Sequence, residues 1–201
     1  MTKTDTSFRV RQATSNDAPS LCQILNEIIA IGGTTAFETP LSVFELENHF
    51  LSGDDCIVCL LAETLTGEAL GFQSLSRNSK LPTGWGDIAT FTRREPRTPG
   101  IGTALFQSTV AFAGNLGLAA INATIRADNE SGIPYYEKMG FKTYDVARGV
   151  PLKDGTPVDR ISKTYSLGLD RKSVQESSED ALETRLFGKT QPARLSTPKT
   201  T

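Results

Sequence analysis

The sequence has little of what marks a secreted, membrane-bound or metal-dependent protein. Three cysteines in 201 residues are too few, and odd in number, for a disulfide framework. His49 is the sole histidine, and no Ser/His/Asp arrangement surrounds it. The densest apolar patch, Cys56 to Ala62, is far too short to span a bilayer, so no membrane association is expected. The first seven residues, Met1 to Ser7, contain no apolar signal-peptide core, which points to a cytoplasmic protein. Lys and Arg number 21 against 23 Asp and Glu, a net charge of −2, so no basic field exists to attract nucleic acid. No Gly-x-x-x-x-Gly-Lys-Ser/Thr run occurs, which removes a P-loop.

One scarce feature takes closer reading. Cys56-Ile57-Val58-Cys59 has the spacing of a redox or zinc pair. It lies in an apolar run that reads as a strand, where side chains three apart point to opposite faces. No second cysteine pair accompanies it. The expectation is two small apolar residues in a sheet, and no metal site.

What is present is a regular alternation of elements. Phe8 to Ala13 alternates as a first strand. Thr14-Ser15-Asn16-Asp17 caps a helix whose Leu21, Ile24, Leu25, Ile28 and Ile29 recur at helical spacing, stopped by Gly32-Gly33. After a loop, Thr34 to Pro40, a second short helix starts near Ser42 and is expected to carry Val43, Leu46 and Phe50 inward. Cys56–Glu63 and Glu68–Ser76 form a hairpin across Leu65-Thr66-Gly67. A strand beginning near Trp85 leads through Arg97-Thr98-Pro99-Gly100-Ile101-Gly102-Thr103 into a helix ending near Gly117. Ala119 to Arg126 is a strand. Asp128-Asn129-Glu130-Ser131 caps a helix with Tyr135, Tyr136 and Met139, closed by Gly140. Phe141–Val146 and Val158–Leu167 are the last strands, with Lys153-Asp154-Gly155 as a turn between them. The order β1-α1-α2-β2-β3-β4-α3-β5-α4-β6-β7 predicts a mixed α+β domain over residues 1–169. From 170 to 201 the composition turns polar, as in a flexible tail, with one short amphipathic helix around Ala181, Leu182, Arg185 and Leu186 as the alternative.

The glycine turn carries chemistry. N–H groups at a helix start have no intrahelical partner, and the helix dipole adds partial positive charge there. Gly100 and Gly102 remove Cβ atoms that would hold a phosphate away from the backbone. A dinucleotide site would want a third glycine at Leu105 and an early parallel βαβ unit, and the sequence has neither.

Arg97-x-x-Gly100-x-Gly102 after a strand, followed about thirty residues later by Asn129, Tyr136 and Gly140-Phe141, resembles the two cofactor motifs of the GNAT N-acetyltransferase superfamily. The resemblance covers roughly Phe8 to Leu167. It implies a mixed central sheet flanked by helices, and acetyl-CoA as acyl donor. By the same resemblance Arg97, Gly100, Ile101, Gly102 and Thr103 wrap the pyrophosphate. Phe91 and Thr92 lie where a splayed strand meets the pantetheine arm, and Asn129 and Tyr136 lie beside the thiol end. Thr98-Pro99 departs from the pattern, since proline supplies no N–H. Arg93 and Arg94 either compensate with charge or form a solvated cluster. Superfamily members often dimerise, so a homodimer is an expected assembly.

Acyl transfer from a thioester to an amine needs a neutral amine, a donor for the carbonyl oxygen and a proton for the leaving thiolate. Tyr136 is the candidate acid for the thiolate, with a core aromatic beside Phe141 as the alternative; Tyr135, about 100° around the helix, packs or faces the acceptor. Asp87, five residues before Thr92, stands where phosphinothricin-acetyltransferase-like members carry a glutamate, and burial would raise its pKa toward that of a useful base. Glu38 is the second carboxylate, in a loop where the superfamily builds its acceptor wall. Thr34-Thr35-Ala36-Phe37-Glu38 also resembles a Thr-Thr-Ala-x-Phe-like stretch of that subgroup, one residue out of spacing. For each acid a structural or surface role is the alternative. The expectation is direct transfer from acetyl-CoA to a primary amine of a small molecule, with an amino-acid-like compound among the candidates. Protein N-terminal or lysine acetylation is the rival, and a silent CoA-binding regulator the further one.

Overall fold

The computed structural model describes residues 7–95 and 97–168; the expected polar tail lies outside them. Seven strands form one sheet in the order β1-β2-β3-β4-β5-β7-β6. The strands are β1 (Phe8–Gln12), β2 (Cys56–Thr64), β3 (Ala69–Ser76), β4 (Trp85–Thr92), β5 (Ala120–Arg126), β6 (Lys142–Pro151) and β7 (Pro157–Ser166). Helices α1 (Ala18–Ile31), α2 (Val43–Phe50), α3 (Ile101–Asn115) and α4 (Gly132–Lys138) complete it. Element order is the one the sequence predicts. β1 to β4 are antiparallel neighbours, β4 and β5 pair in parallel, and β7 lies antiparallel to both β5 and β6.

Each face of the sheet buries its own apolar cluster. Leu21, Ile24, Leu25 and Ile28 of α1 and Leu46 and Phe50 of α2 pack on Cys59, Leu61, Phe72 and Phe91. Ile101, Leu105, Phe106 and Ala113 of α3, with Tyr136 of α4, pack on Val58, Leu75, Ile88, Ile121 and Ile125. Covered on both sides, β3 is buried at every residue but its last, so its polar Gln73 and Ser74 lie in the interior as well.

Local chemistry fixes the helix starts. Thr14 and Asp17 form a capping box before α1, and Ser42 and Glu45 form one before α2. Asp17 also accepts two hydrogen bonds from the Arg11 guanidinium, at 2.8 and 2.7 Å. Those bonds are the main reason its carboxyl is held down at about 2. Val43 is half-exposed rather than inward, because as the first residue of α2 it precedes the turn that meets the sheet. β6 runs on to Pro151, beyond the expected Val146, with register shifts that keep it paired to β7.

The cysteine pair also differs from expectation. A register shift between Cys56 and Val58 inserts a bulge in β2, which changes the side-chain alternation there. The Cys56 thiol therefore reaches the Phe50 carbonyl in α2 at 3.1 Å, while Cys59 packs in the same cluster as Phe50. Both are free thiols. Burial pushes the Cys59 thiol far above its ordinary range, so it behaves as a small apolar residue. Among the described residues no group of three or more His, Cys, Asp or Glu is placed to hold a metal ion, and no helix is long and apolar enough to cross a membrane.

Candidate active site

The sheet opens in its middle. β4 and β5 pair only at Trp85–Ala120, Gly86–Ile121 and Asp87–Asn122, although β4 runs on to Thr92 and β5 to Arg126. Past Asp87 the backbone of β4 has no ladder partner on its β5 side. Buried backbone groups left in this state call for another partner. Phe91 and Thr92, expected to meet an extended arm, lie in this unpaired half.

The glycine turn follows at the end of β4. Gly100 has φ +89° and caps α3, a left-handed backbone that favours glycine. The first intrahelical bond runs from Ala104 N–H to the Gly100 carbonyl at 3.0 Å. The N–H groups of Ile101, Gly102 and Thr103 therefore have no intrahelical acceptor and mark a helix N-terminus able to receive an anion. Arg97 is exposed beside it. Gly102 has a second reason to be small. A Cβ there would lie 2.9 Å from the Tyr135 ring, so the missing side chain makes room for Tyr135.

The two tyrosines of α4 reach under the sheet. Lys163, almost fully buried, donates to Glu137 of α4 and to Thr143, both at 2.9 Å, which ties α4 to β6 and β7. The Tyr136 hydroxyl lies 3.1 Å from the Thr90 hydroxyl, and its ring packs edge-on against Phe141. Burial drives the Tyr136 phenol upward, partly opposed by Thr90 and reinforced by Tyr135 and Asp87. Such a phenol stays protonated at neutral pH and is a hydrogen-bond donor. Tyr135 donates to the Gly102 carbonyl at 2.8 Å and accepts from Gln73 at 3.3 Å. Gln73 was not signalled by the sequence: it is a lone amide in an apolar strand, yet it is fully buried.

Asp87 occupies the other face of β4. It accepts from Asn78 Nδ2 at 2.8 Å and from Asn122 Nδ2 at 2.7 Å. Tyr144 in turn donates to Asn122 Oδ1 at 2.8 Å, fixing that amide. The carboxylate is half-buried, not enclosed. Asn122 and Tyr144, like Gln73, gave no sequence signal. Thus Asp87 stands at the last paired residue of β4, and Tyr136 approaches the same opening from the α3 side.

The remaining predicted residues are distributed around the ends of these strands. Asn129 donates to the Thr34 carbonyl at 2.7 Å and accepts from Gly132 N–H at 2.8 Å, so it staples the α1–α2 loop to the start of α4. Glu38 accepts from Lys153 N–H at 2.8 Å, joining that loop to the β6–β7 turn; it shares no hydrogen-bond partner with Asp87 or Tyr136. Arg93 turns toward Glu68, 4.0 Å away. Arg94 instead lines a cavity of about 240 Å³ with Gly32, Gly33, Thr34, Asp128, Glu130 and Ser131. The cavity bridges the loops that follow β4 and β5, and the buried Thr34 Oγ1 in its wall has no partner.

Known proteins share this fold. Residues 22–141 match the model of the Acetyltransferase (GNAT) family. A Bacillus subtilis (strain 168) protein named "Putative phosphinothricin acetyltransferase YwnH" is 24% identical over 152 residues, 75% of this chain and 93% of that one. The crystal structure of a GNAT superfamily phosphinothricin acetyltransferase from Sinorhizobium meliloti in complex with AcCoA is 24% identical, with a TM-score of 0.71 over 82% of this chain and 91% of the other. A ribosomal-protein-alanine N-acetyltransferase from Brucella melitensis superposes with a TM-score of 0.67 at 22% identity, covering 79% and 99% of the two chains.

Proposed function

The chain belongs to the GNAT acetyltransferase family, whose members draw on acetyl-CoA, and from that premise we propose that it acetylates the primary amine of a small, amino-acid-like molecule by direct transfer. The observation that carries this reading of the acceptor is the cavity across the ends of β4 and β5. Its volume of about 240 Å³ is enough to receive an amino-acid-sized molecule. Its wall offers the cation Arg94 and the acid Glu130, a pairing suited to a zwitterion; Asp128 is already held by the Arg126 guanidinium. The names of two relatives, "Putative phosphinothricin acetyltransferase YwnH" from Bacillus subtilis and a phosphinothricin acetyltransferase from Sinorhizobium meliloti, fit the same substrate class.

The residues fit the acyl donor. The free N–H groups of Ile101, Gly102 and Thr103, with Arg97 beside them, would hold the pyrophosphate, and Pro99 contributes none. The unpaired backbone at Phe91 and Thr92 would receive the acyl-bearing arm, as an added strand completes a sheet edge. Bound acetyl-CoA supplies an activated thioester, so no covalent enzyme intermediate is required. Asp87 takes the proton of the attacking amine, directly or through a water. Tyr136 donates a hydrogen bond to the departing sulfur. Asn129 serves chiefly by fixing the loop that carries Thr34, and Glu38 by holding the opposite end of that loop.

The test is thiol release from acetyl-CoA with two sets of acceptors, free amino acids and their phosphinic or sulfoximine analogues against peptides with free N-termini and lysines. Turnover confined to the first set supports the proposal. Turnover confined to peptides would transfer the site to protein acetylation, and tight CoA binding with turnover of neither set would make the protein a regulator.

A further inference from the structure

Gln73 is fully buried in β3, and its amide joins groups that are far apart in the chain. It accepts from Thr109 of α3 at 2.6 Å and donates to Thr90 at 2.8 Å and to Tyr135 at 3.3 Å. The direction of every bond in this chain follows from its far end. The Gly102 carbonyl can only accept, so Tyr135 must spend its one proton there, at 2.8 Å. The Tyr135 oxygen then faces Gln73 as an acceptor, which makes that end of Gln73 the NH₂ and leaves the carbonyl for Thr109. Thr90 accepts from the NH₂. Its own proton has the Tyr136 oxygen at 3.1 Å; the Tyr135 oxygen, the other hydroxyl near Thr90, already accepts from Gln73. The opposite sense, Tyr136 donating to Thr90, would leave the proton of the half-buried Thr90 without a protein acceptor, which is unfavourable. With Thr90 as donor, the Tyr136 proton is not consumed by the protein.

We propose that Gln73 is a positioning residue that sets the polarity of a buried relay, Gly102–Tyr135–Gln73–Thr90–Tyr136, and thereby keeps the Tyr136 proton free to be donated to the sulfur of the acyl carrier. The relay starts at the first turn of α3, next to the N–H groups assigned to the pyrophosphate, and ends at the thiol end of the same ligand. One ligand thus meets both ends of one hydrogen-bonded chain. The inference rests on the proposed role of Tyr136.

Coenzyme A itself is the probe, so no acceptor need be known. The thiolate absorbs in the short-wavelength ultraviolet far more strongly than the thiol, and the pH midpoint of the bound thiol reports how well its sulfur is stabilised as an anion. Bound to the wild-type protein, the thiol should titrate at least one pH unit below free coenzyme A, a tenfold gain in thiolate fraction. Tyr136→Phe should abolish the shift. Thr90→Val and Gln73→Met should remove most of it while changing coenzyme A affinity less than about threefold, and Thr90→Ser should restore it, on the scale of a single lost hydrogen bond. A wild-type midpoint in both Thr90→Val and Gln73→Met, with the shift lost in Tyr136→Phe, overturns the relay and leaves the acid assignment standing. A midpoint unchanged by Tyr136→Phe overturns both. Failure of the wild-type protein to bind coenzyme A overturns the proposed function and the relay with it.

Discussion

Replacing Gly102 with alanine separates two reasons for a glycine at the start of α3. If the residue is small only to admit a phosphate, alanine should leave the free protein intact or stabilise it by up to about 1 kcal/mol through helix propensity. The structure predicts the reverse. The new Cβ would lie 2.9 Å from the Tyr135 ring, whereas carbon atoms pack at about 3.5 Å or more, so the ring must retreat by roughly 0.6 Å. Tyr135 is not free to retreat, because its hydroxyl is fixed to the Gly102 carbonyl at 2.8 Å. Overpacking of this kind costs about 1–3 kcal/mol, and weakening the hydrogen bond adds up to about 1 kcal/mol. After the propensity gain the net loss is about 1–2 kcal/mol, a fall in Tm of roughly 3–6 °C for a domain of this size. The assay is calorimetry on Gly102→Ala, on Tyr135→Ala and on the double variant. In the Tyr135→Ala background the clash is gone, so the added alanine should become neutral or stabilising. A Gly102→Ala protein as stable as wild type, or an equal loss in both backgrounds, refutes the argument.

Three further outcomes are expected. Asp87→Asn keeps the shape of the side chain but removes the base, so kcat should fall by about 10²-fold or more with the KM for acetyl-CoA little changed; an unchanged kcat across pH 6–9 removes Asp87 from the mechanism. The Asp17 carboxyl, held down to about 2 by the Arg11 guanidinium, contributes stability that is complete above about pH 4 and is lost as pH falls toward 2. That contribution is about 1 kcal/mol once solvent screening is allowed for, so the Tm gap between wild type and Asp17→Asn should close over that interval, and a constant gap contradicts the pairing with Arg11. Gly132→Ala would set a Cβ 2.5 Å from Asn129 Nδ2, loosening the staple to Thr34 and raising protease sensitivity of the α1–α2 loop; unchanged cleavage there would show that Asn129 does not hold it.

Element order was legible because each element carries its own signal: capping boxes at Thr14 and Ser42, the 3.6-residue spacing of α1, the glycine turn before α3. The motif residues could be read in the same way, since Gly100, Asn129 and Tyr136 stand at fixed offsets from glycines. What the sequence does not display is pairing between distant side chains. Gln73 meets Tyr135 across 62 residues, and Asn122 meets Tyr144 across 22, so neither amide differs in the sequence from an ordinary polar residue in a strand. The bulge that turns Cys56 toward α2 depends on how β2 pairs with β3, and no local pattern announces it. Gly102 shows the subtlest case: beside the room expected for a phosphate, the Tyr135 contact gives a second reason for a small residue, and no local pattern announces it.

The most direct test of the account is a crystal structure of the protein with coenzyme A bound. The account predicts pyrophosphate oxygens on the N–H groups of Ile101, Gly102 and Thr103, the pantetheine arm between β4 and β5 past Asp87, and the sulfur within hydrogen-bond reach of the Tyr136 hydroxyl. A coenzyme lying elsewhere, or entering the opening with its sulfur remote from Tyr136 and on the far side of β4, would contradict it.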